Sequence, residues 1–151
     1  MGAINYFTSD YITIGYNCNN FDYEDDFTYY YCEAIREQIE NILYNEHFKH
    51  IIVTLEPGYY EGFSINIKFD YLYFYDCDEK REAQREITRI KAFLLKCIND
   101  FGLCAVSPGW CTGYYDYKET LNELNRAIKE MRATVKNTPT EKNFDFKKLY
   151  I

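Results

Sequence analysis

The chain has 151 residues, a length that fits one domain with a real core. Hydrophobic residues make up 47% of it and aromatics 19%, which argues for a globular chain and not a disordered one. The formal net charge of -7 argues against direct nucleic-acid binding, which needs clustered Lys and Arg.

The first predicted element is a strand in "YFTSDYITIGY", where Phe7, Tyr11, Ile12 and Ile14 stand among β-branched neighbours. A polar, acidic loop, "NCNNFDYEDD", follows. From Asp26, residues Phe27, Tyr31, Ile35, Ile39, Ile42 and Leu43 recur at helical spacing, which predicts a helix to about Glu46. Asp25 and Asp26 stand where a carboxylate meets free N–H groups at the helix start. "HIIVTLEPG" reads as a strand closed by Pro57-Gly58. In "FSINIKFDYLYFY", Phe63, Ile65, Ile67 and Phe69 alternate with Ser64, Asn66 and Lys68, the period of a half-buried strand.

"CDEKREAQREITRIKAFLLKCINDFG" predicts the longest helix. Asp78 is its expected N-cap, Ala83, Ile87, Ile90, Leu94, Cys97 and Phe101 its apolar stripe, and Gly102 its left-handed stop. Glu82, Glu86, Arg85, Arg89, Lys80 and Arg81 read as its solvated face. "LCAVSPGWCTGYYDY" reads as a strand, a turn and a second short strand. Leu121, Leu124, Ile128, Met131 and Val135 then mark a third helix, with Thr120 and Glu123 as its expected capping box. This stripe fits core better than a dimer seam, so a monomer or homodimer is expected.

Taken together the elements predict an α+β fold: a ferredoxin-like (β-α-β-β-α-β) antiparallel sheet of four or five strands with helices on one face, plus an extra C-terminal helix. Residues 1–137 form the expected domain and 138–151 a C-terminal tail.

Two stretches repeat a pattern. "PGYYEGF" (Pro57 to Phe63) and "PGWCTGY" (Pro108 to Tyr114) both read Pro-Gly-aromatic-x-x-Gly-aromatic. Pro followed by Gly suits a type II turn, and Gly62 and Gly113 allow a second bend. Each stretch follows a helix and an apolar strand, and Ile39, Ile42 and Leu43 align with Ile90, Phe93 and Leu94. In the expected sheet the second and fourth strands run the same way, so both loops leave one end of the sheet. The binding residues expected on this reasoning are Tyr59, Tyr60, Glu61, Trp110, Tyr114, Tyr115 and Asp116. The structural alternative is that these aromatics cap the open end of the core.

Catalytic signatures are lacking. No Walker A, G-x-G-x-x-G, G-x-S-x-G or H-E-x-x-H pattern occurs, and nothing favours a Cys111–His nucleophile pair. Cysteines 18, 32, 77, 97, 104 and 111 form no C-x-x-C pair and read as reduced thiols. The two histidines, His47 and His50, do not complete a zinc pattern, and the acidic clusters precede helices as caps do. No catalytic residue, metal or cofactor is expected. An RNA-recognition reading fails on charge, since "FSINIKFDY" carries one lysine. No window approaches about 18 apolar residues and the N-terminus lacks a basic, apolar leader pattern, so no membrane contact and a cytoplasmic location are expected.

The acidic charge by itself fits a small cytosolic protein that is simply soluble; with 17 tyrosines it also suits a basic protein partner, since spaced carboxylates and hydroxylated rings can occupy a nucleic-acid channel. With "INYFTSDYITIGY" and "PGYYEGF", the chain resembles the small acidic inhibitors that phages and mobile elements carry, of the anti-CRISPR or anti-restriction type. The resemblance implies a non-enzymatic interaction protein acting in a bacterial host cytosol on a basic nucleic-acid-binding host protein, such as a CRISPR-Cas nuclease complex. It assigns no site residue. The alternative expectation is a small-molecule or nucleotide-binding module using the two Pro-Gly loops, and a third is an enzyme with an unfamiliar site.

Overall fold

The computed structural model describes residues 10–15, 26–57, 63–69, 73–105 and 115–142. They form an α+β fold with a four-stranded open antiparallel sheet and three helices. In chain order these are β1 (Asp10–Gly15), α1 (Asp26–Glu46), β2 (Ile51–Pro57), β3 (Phe63–Phe69), α2 (Cys77–Phe101), β4 (Cys104–Ala105) and α3 (Tyr117–Asn137). The sheet order is β2-β3-β1-β4, and every neighbouring pair is antiparallel.

The register stacks one apolar face. Val53 and Ile12 both oppose Ile67, Leu55 and Ile14 both oppose Ile65, and Ala105 opposes Ile14. The alternation read in β3 is what the strand shows: Phe63, Ile65, Ile67 and Phe69 are buried and the residues between them half-buried. On the other face Thr13 donates to the Asn66 side chain at 2.7 Å. Gly15 is required by crowding, because a Cβ there would stand 2.8 Å from the Phe63 carbonyl oxygen. The β1 register slips between Asp10 and Ile12, a bulge that lets Tyr11 join the apolar side. Its ring meets Phe69 edge-on and its hydroxyl donates to Thr134 of α3 at 2.9 Å. Burial pushes the Tyr11 phenol above its ordinary range, with the Thr134 hydrogen bond acting against it.

Helices α2 and α3 pack antiparallel. Lys80 donates to the Lys136 carbonyl at 2.9 Å, Arg132 bonds the Gln84 side chain at 3.0 Å, and Tyr117 donates to Asn99 at 2.9 Å. The expected α2 stripe is buried except for half-buried Phe101, with Phe93 and Ile98 added to it. In α3, Leu124, Ile128, Met131 and Val135 are buried within the chain, which makes them core. Gly102 takes φ 69, the left-handed stop read from the sequence.

Three local readings are corrected. The N-cap of α2 is Asp76, which accepts from the Glu79 N–H, whereas Asp78 is exposed within the helix and pairs with Arg81. The capping box of α3 is Asp116 with Glu119; Thr120 is buried, and its hydroxyl accepts from the Ala105 N–H at 3.0 Å. The buried stripe of α1 begins at Cys32 and continues through Ile35 and Ile39, while Phe27 and Tyr31 are exposed.

The proposed tail begins as a strap. Phe74 donates to the Pro139 carbonyl at 2.9 Å, and Glu141 donates to the Phe74 carbonyl at 2.8 Å. Residues 143–151 lie outside the described residues. No described helix is long and apolar enough to cross a membrane.

Replacing Asp76 or Asp116 by Ala is expected to cost about 1 kcal/mol each, and Asp78→Ala under about 0.5 kcal/mol. Urea denaturation of the three variants checks this; an equal loss at Asp78 would restore it as the cap.

Cys77, Cys97 and Cys104 are free thiols. Desolvation lifts the Cys97 thiol to about 12, so it carries almost no thiolate near neutral pH. Iodoacetamide at pH 8 is therefore expected to label exposed Cys77 in the folded chain and Cys97 only in denaturant, read by peptide mass spectrometry. Comparable labelling of both in the folded chain contradicts the buried placement.

Candidate functional site

The densest polar cluster lies where α1 hands over to β2. Helix α1 has no basic residue in its last turn and is followed by His47, which takes φ 50 without being glycine. One turn of α2 serves the backbone of this connection. Arg89 donates to the carbonyls of Glu46 and His47, pairs with the Glu46 carboxylate at 3.1 Å, and stacks its guanidinium 4.9 Å from the Phe48 ring centre. Three residues earlier, Glu86 accepts from the N–H of His50 at 2.9 and 3.1 Å and from that of Ile51 at 3.2 Å. Glu86 is only 6% exposed and His50 is fully buried.

The His50 ring faces three carboxylates of α2: Glu79 at 3.9 Å, Glu82 at 3.5 Å and Glu86 at 3.8 Å. Phe74 meets the ring edge-on at 5.7 Å. Lys49 lies 3.8 Å from Glu82 at the solvent side. The arrangement is a clasp. A carboxylate that accepts N–H groups from the start of a strand ties β2 to α2, and the closed position of the ring keeps solutes from it. Among the described residues no group of three His, Cys, Asp or Glu side chains is placed to hold a metal ion.

The reading of Glu86 as solvated is thereby corrected. Its position was the signal: Glu86 falls on the same stripe as Ala83 and Ile90, at three and four residue steps. A carboxylate there is either a packing fault or the partner of buried donors.

Of the expected binding residues, Tyr59, Tyr60, Glu61, Trp110 and Tyr114 lie outside the described residues. Tyr115 is half-buried against the core and its N–H donates to the Ala105 carbonyl at 3.0 Å. Asp116 is the α3 cap, so its carboxylate already accepts from the Glu119 N–H, while the Glu119 carboxylate accepts from the Asp116 N–H. The expectation that β2 and β4 run the same way is corrected by the pairing. β2 opposes β3, β3 opposes β1 and β1 opposes β4, so β2 and β4 are antiparallel and leave the sheet at opposite ends.

The outer face of α1 has a different character. Tyr30, Ala34, Glu37, Asn41 and Tyr44 form one exposed stripe at helical spacing. Tyr30 is 68% and Tyr44 77% exposed. Phe27 and Tyr31 stack at 6.0 Å beside it. The helix carries five carboxylates (Asp26, Glu33, Glu37, Glu40 and Glu46) and one cation, Arg36. Arg36 is held by Glu33 at 2.6 Å and Glu40 at 2.5 Å, and its hydrogen bond lowers the Glu33 carboxyl below the ordinary range. Among the described residues no cation pairs with Glu37. By contrast α3 carries five cations against three carboxylates.

No family model matches the chain, and no curated protein or solved structure matches it at a significant level.

Glu86→Ala leaves the N–H groups of His50 and Ile51 without their acceptor, an expected loss of about 2–3 kcal/mol. Glu86→Gln keeps one carbonyl acceptor and is expected to lose about half as much. Glu82→Gln, at a half-exposed side chain, should cost under about 0.5 kcal/mol. Equal urea midpoints for the Glu82 and Glu86 variants would show that the clasp contributes nothing.

Proposed function

We propose that this chain is a non-enzymatic interaction protein whose acidic, tyrosine-bearing surface engages a basic nucleic-acid-binding protein, on a sheet of the ferredoxin-like class. The strand order β2-β3-β1-β4 with antiparallel neighbours supports that class. The observation that carries the functional reading is the charge of α1: five carboxylates, one cation already held by two of them, and exposed aromatic rings on the same helix. Spaced negative charge beside flat rings is complementary to a channel built for phosphates and bases.

The test is capture from bacterial lysate on immobilised protein at about 0.1 M and about 1 M salt, a range over which the screening length falls from about 10 to about 3 Å. A basic nucleic-acid-binding protein held at the lower salt, released at the higher and displaced by duplex DNA is the expected result. Retention of no such protein at the lower salt overturns the reading.

A further inference from the structure

Resting on that reading, we infer that the outer stripe of α1, from Tyr30 through Glu37 to Tyr44, is the docking surface, and that its occupant is an arginine-rich surface of the partner. The expected common exit of β2 and β4 is not what the strands show, since the two run antiparallel, and the residues of the Pro-Gly loops at 58–62 and 106–114 lie outside the described residues. The described helices differ in charge. α2 carries six cations against five carboxylates, and three of those carboxylates, Glu79, Glu82 and Glu86, face the His50 ring. α3 is net basic. The acidic surface among the described helices is therefore α1.

The stripe selects arginine over lysine. Tyr30 and Tyr44 stand roughly 21 Å apart along the axis, at about 1.5 Å per residue, with Glu37 midway and Asn41 between Glu37 and Tyr44. On an arginine-rich surface one guanidinium can lie flat on a tyrosine ring while another gives its N–H fork to Glu37, whereas an ammonium offers only a point charge. Because Arg36 is closed on Glu33 and Glu40, it does not cancel Glu37. The burial of Cys32, Ile35 and Ile39 fixes the opposite side of α1 against the core, which presents the stripe on a held helix.

The experiment titrates the full-length, isotope-labelled chain with deca-arginine and with deca-lysine, following backbone amide shifts. The largest shifts are expected at Tyr30, Ala34, Glu37, Asn41 and Tyr44, with the arginine peptide the tighter binder. Glu37→Lys combined with Tyr44→Ala should weaken deca-arginine about tenfold, and Asp78→Lys, the same charge change on α2, less than about twofold. Melting curves of both variants establish that they are folded. Absence of binding, shifts centred elsewhere, equal loss in the two variants, or equal affinity for the two peptides each overturns the inference. Self-association through α1 in sedimentation also overturns it, since a second copy would then be the occupant. The lysate capture separates the two levels: a basic partner still held by the Glu37/Tyr44 variant removes only this surface, whereas no basic partner for the wild-type chain removes the functional reading.

Discussion

The connection between α1 and β2 has to satisfy backbone groups of both kinds within four residues. A helix ends there with free carbonyls and a strand begins with free N–H groups, at a point where His50 is fully buried. Water cannot serve these groups at His50, so side chains must. Helix α2 supplies one of each sign a turn apart, Arg89 for the carbonyls of Glu46 and His47 and Glu86 for the N–H groups of His50 and Ile51. Each partner does what the macrodipole and local donors demand: a cation at a helix C-terminus, an anion at unpaired donors. Both attachments come from the same helix, so the orientation of α1, the start of β2 and the placement of α2 are set together.

The remaining frame follows from that placement. With α2 fixed against β2, the antiparallel contact through Gln84, Thr88 and Arg132 positions α3. Helix α3 in turn holds β1, since Arg126 donates to the Tyr11 carbonyl and Thr134 accepts from the Tyr11 hydroxyl. The short β4 needs little pairing of its own, because Thr120 takes the Ala105 N–H and the Tyr115 N–H takes the Ala105 carbonyl. The edge is thus stabilised by the Thr120 side chain of α3 and the backbone N–H of Tyr115 just before it, which lets a two-residue strand close the sheet order.

What the sequence made legible was periodic. The alternation of β3, the apolar stripes of α2 and α3, and Gly102 after α2 each repeat or terminate a local pattern, and local patterns depend on neighbours in the chain. Three kinds of information were less legible. Caps compete within acidic clusters: Asp76 and Asp78 have the same chemistry, and backbone geometry decides between them. A buried carboxylate such as Glu86 has the composition of a surface residue, and its partners lie 35 and 36 residues away. Strand direction is a property of the whole sheet, so the opposite exits of β2 and β4 could not be read from two similar loops. Of the binding residues expected from those loops, the two that are described serve core packing and helix capping, while the acidic stripe of α1 was visible only as the polar remainder of an amphipathic helix.

The charge distribution links the frame to the surface. In α2 the carboxylates alternate with cations or face His50, and in α3 Arg126 alone engages Glu123 and Glu130. Those helices use much of their charge internally, as packed helices with partners on two sides do. Helix α1 has Ile35 and Ile39 as its inner anchors and needs no acidic residue for them. Four of its five carboxylates nevertheless follow its first turn, where the N-terminal dipole gives them no benefit, and Glu46 in the last turn stands against the dipole except for its pairing with Arg89. A sequence tuned for stability alone would place lysines on that outer face. Glu37, four residues after Glu33 and with no cation paired to it among the described residues, opposes helix stability and places negative potential beside exposed aromatic rings, the combination on which the proposed docking surface rests.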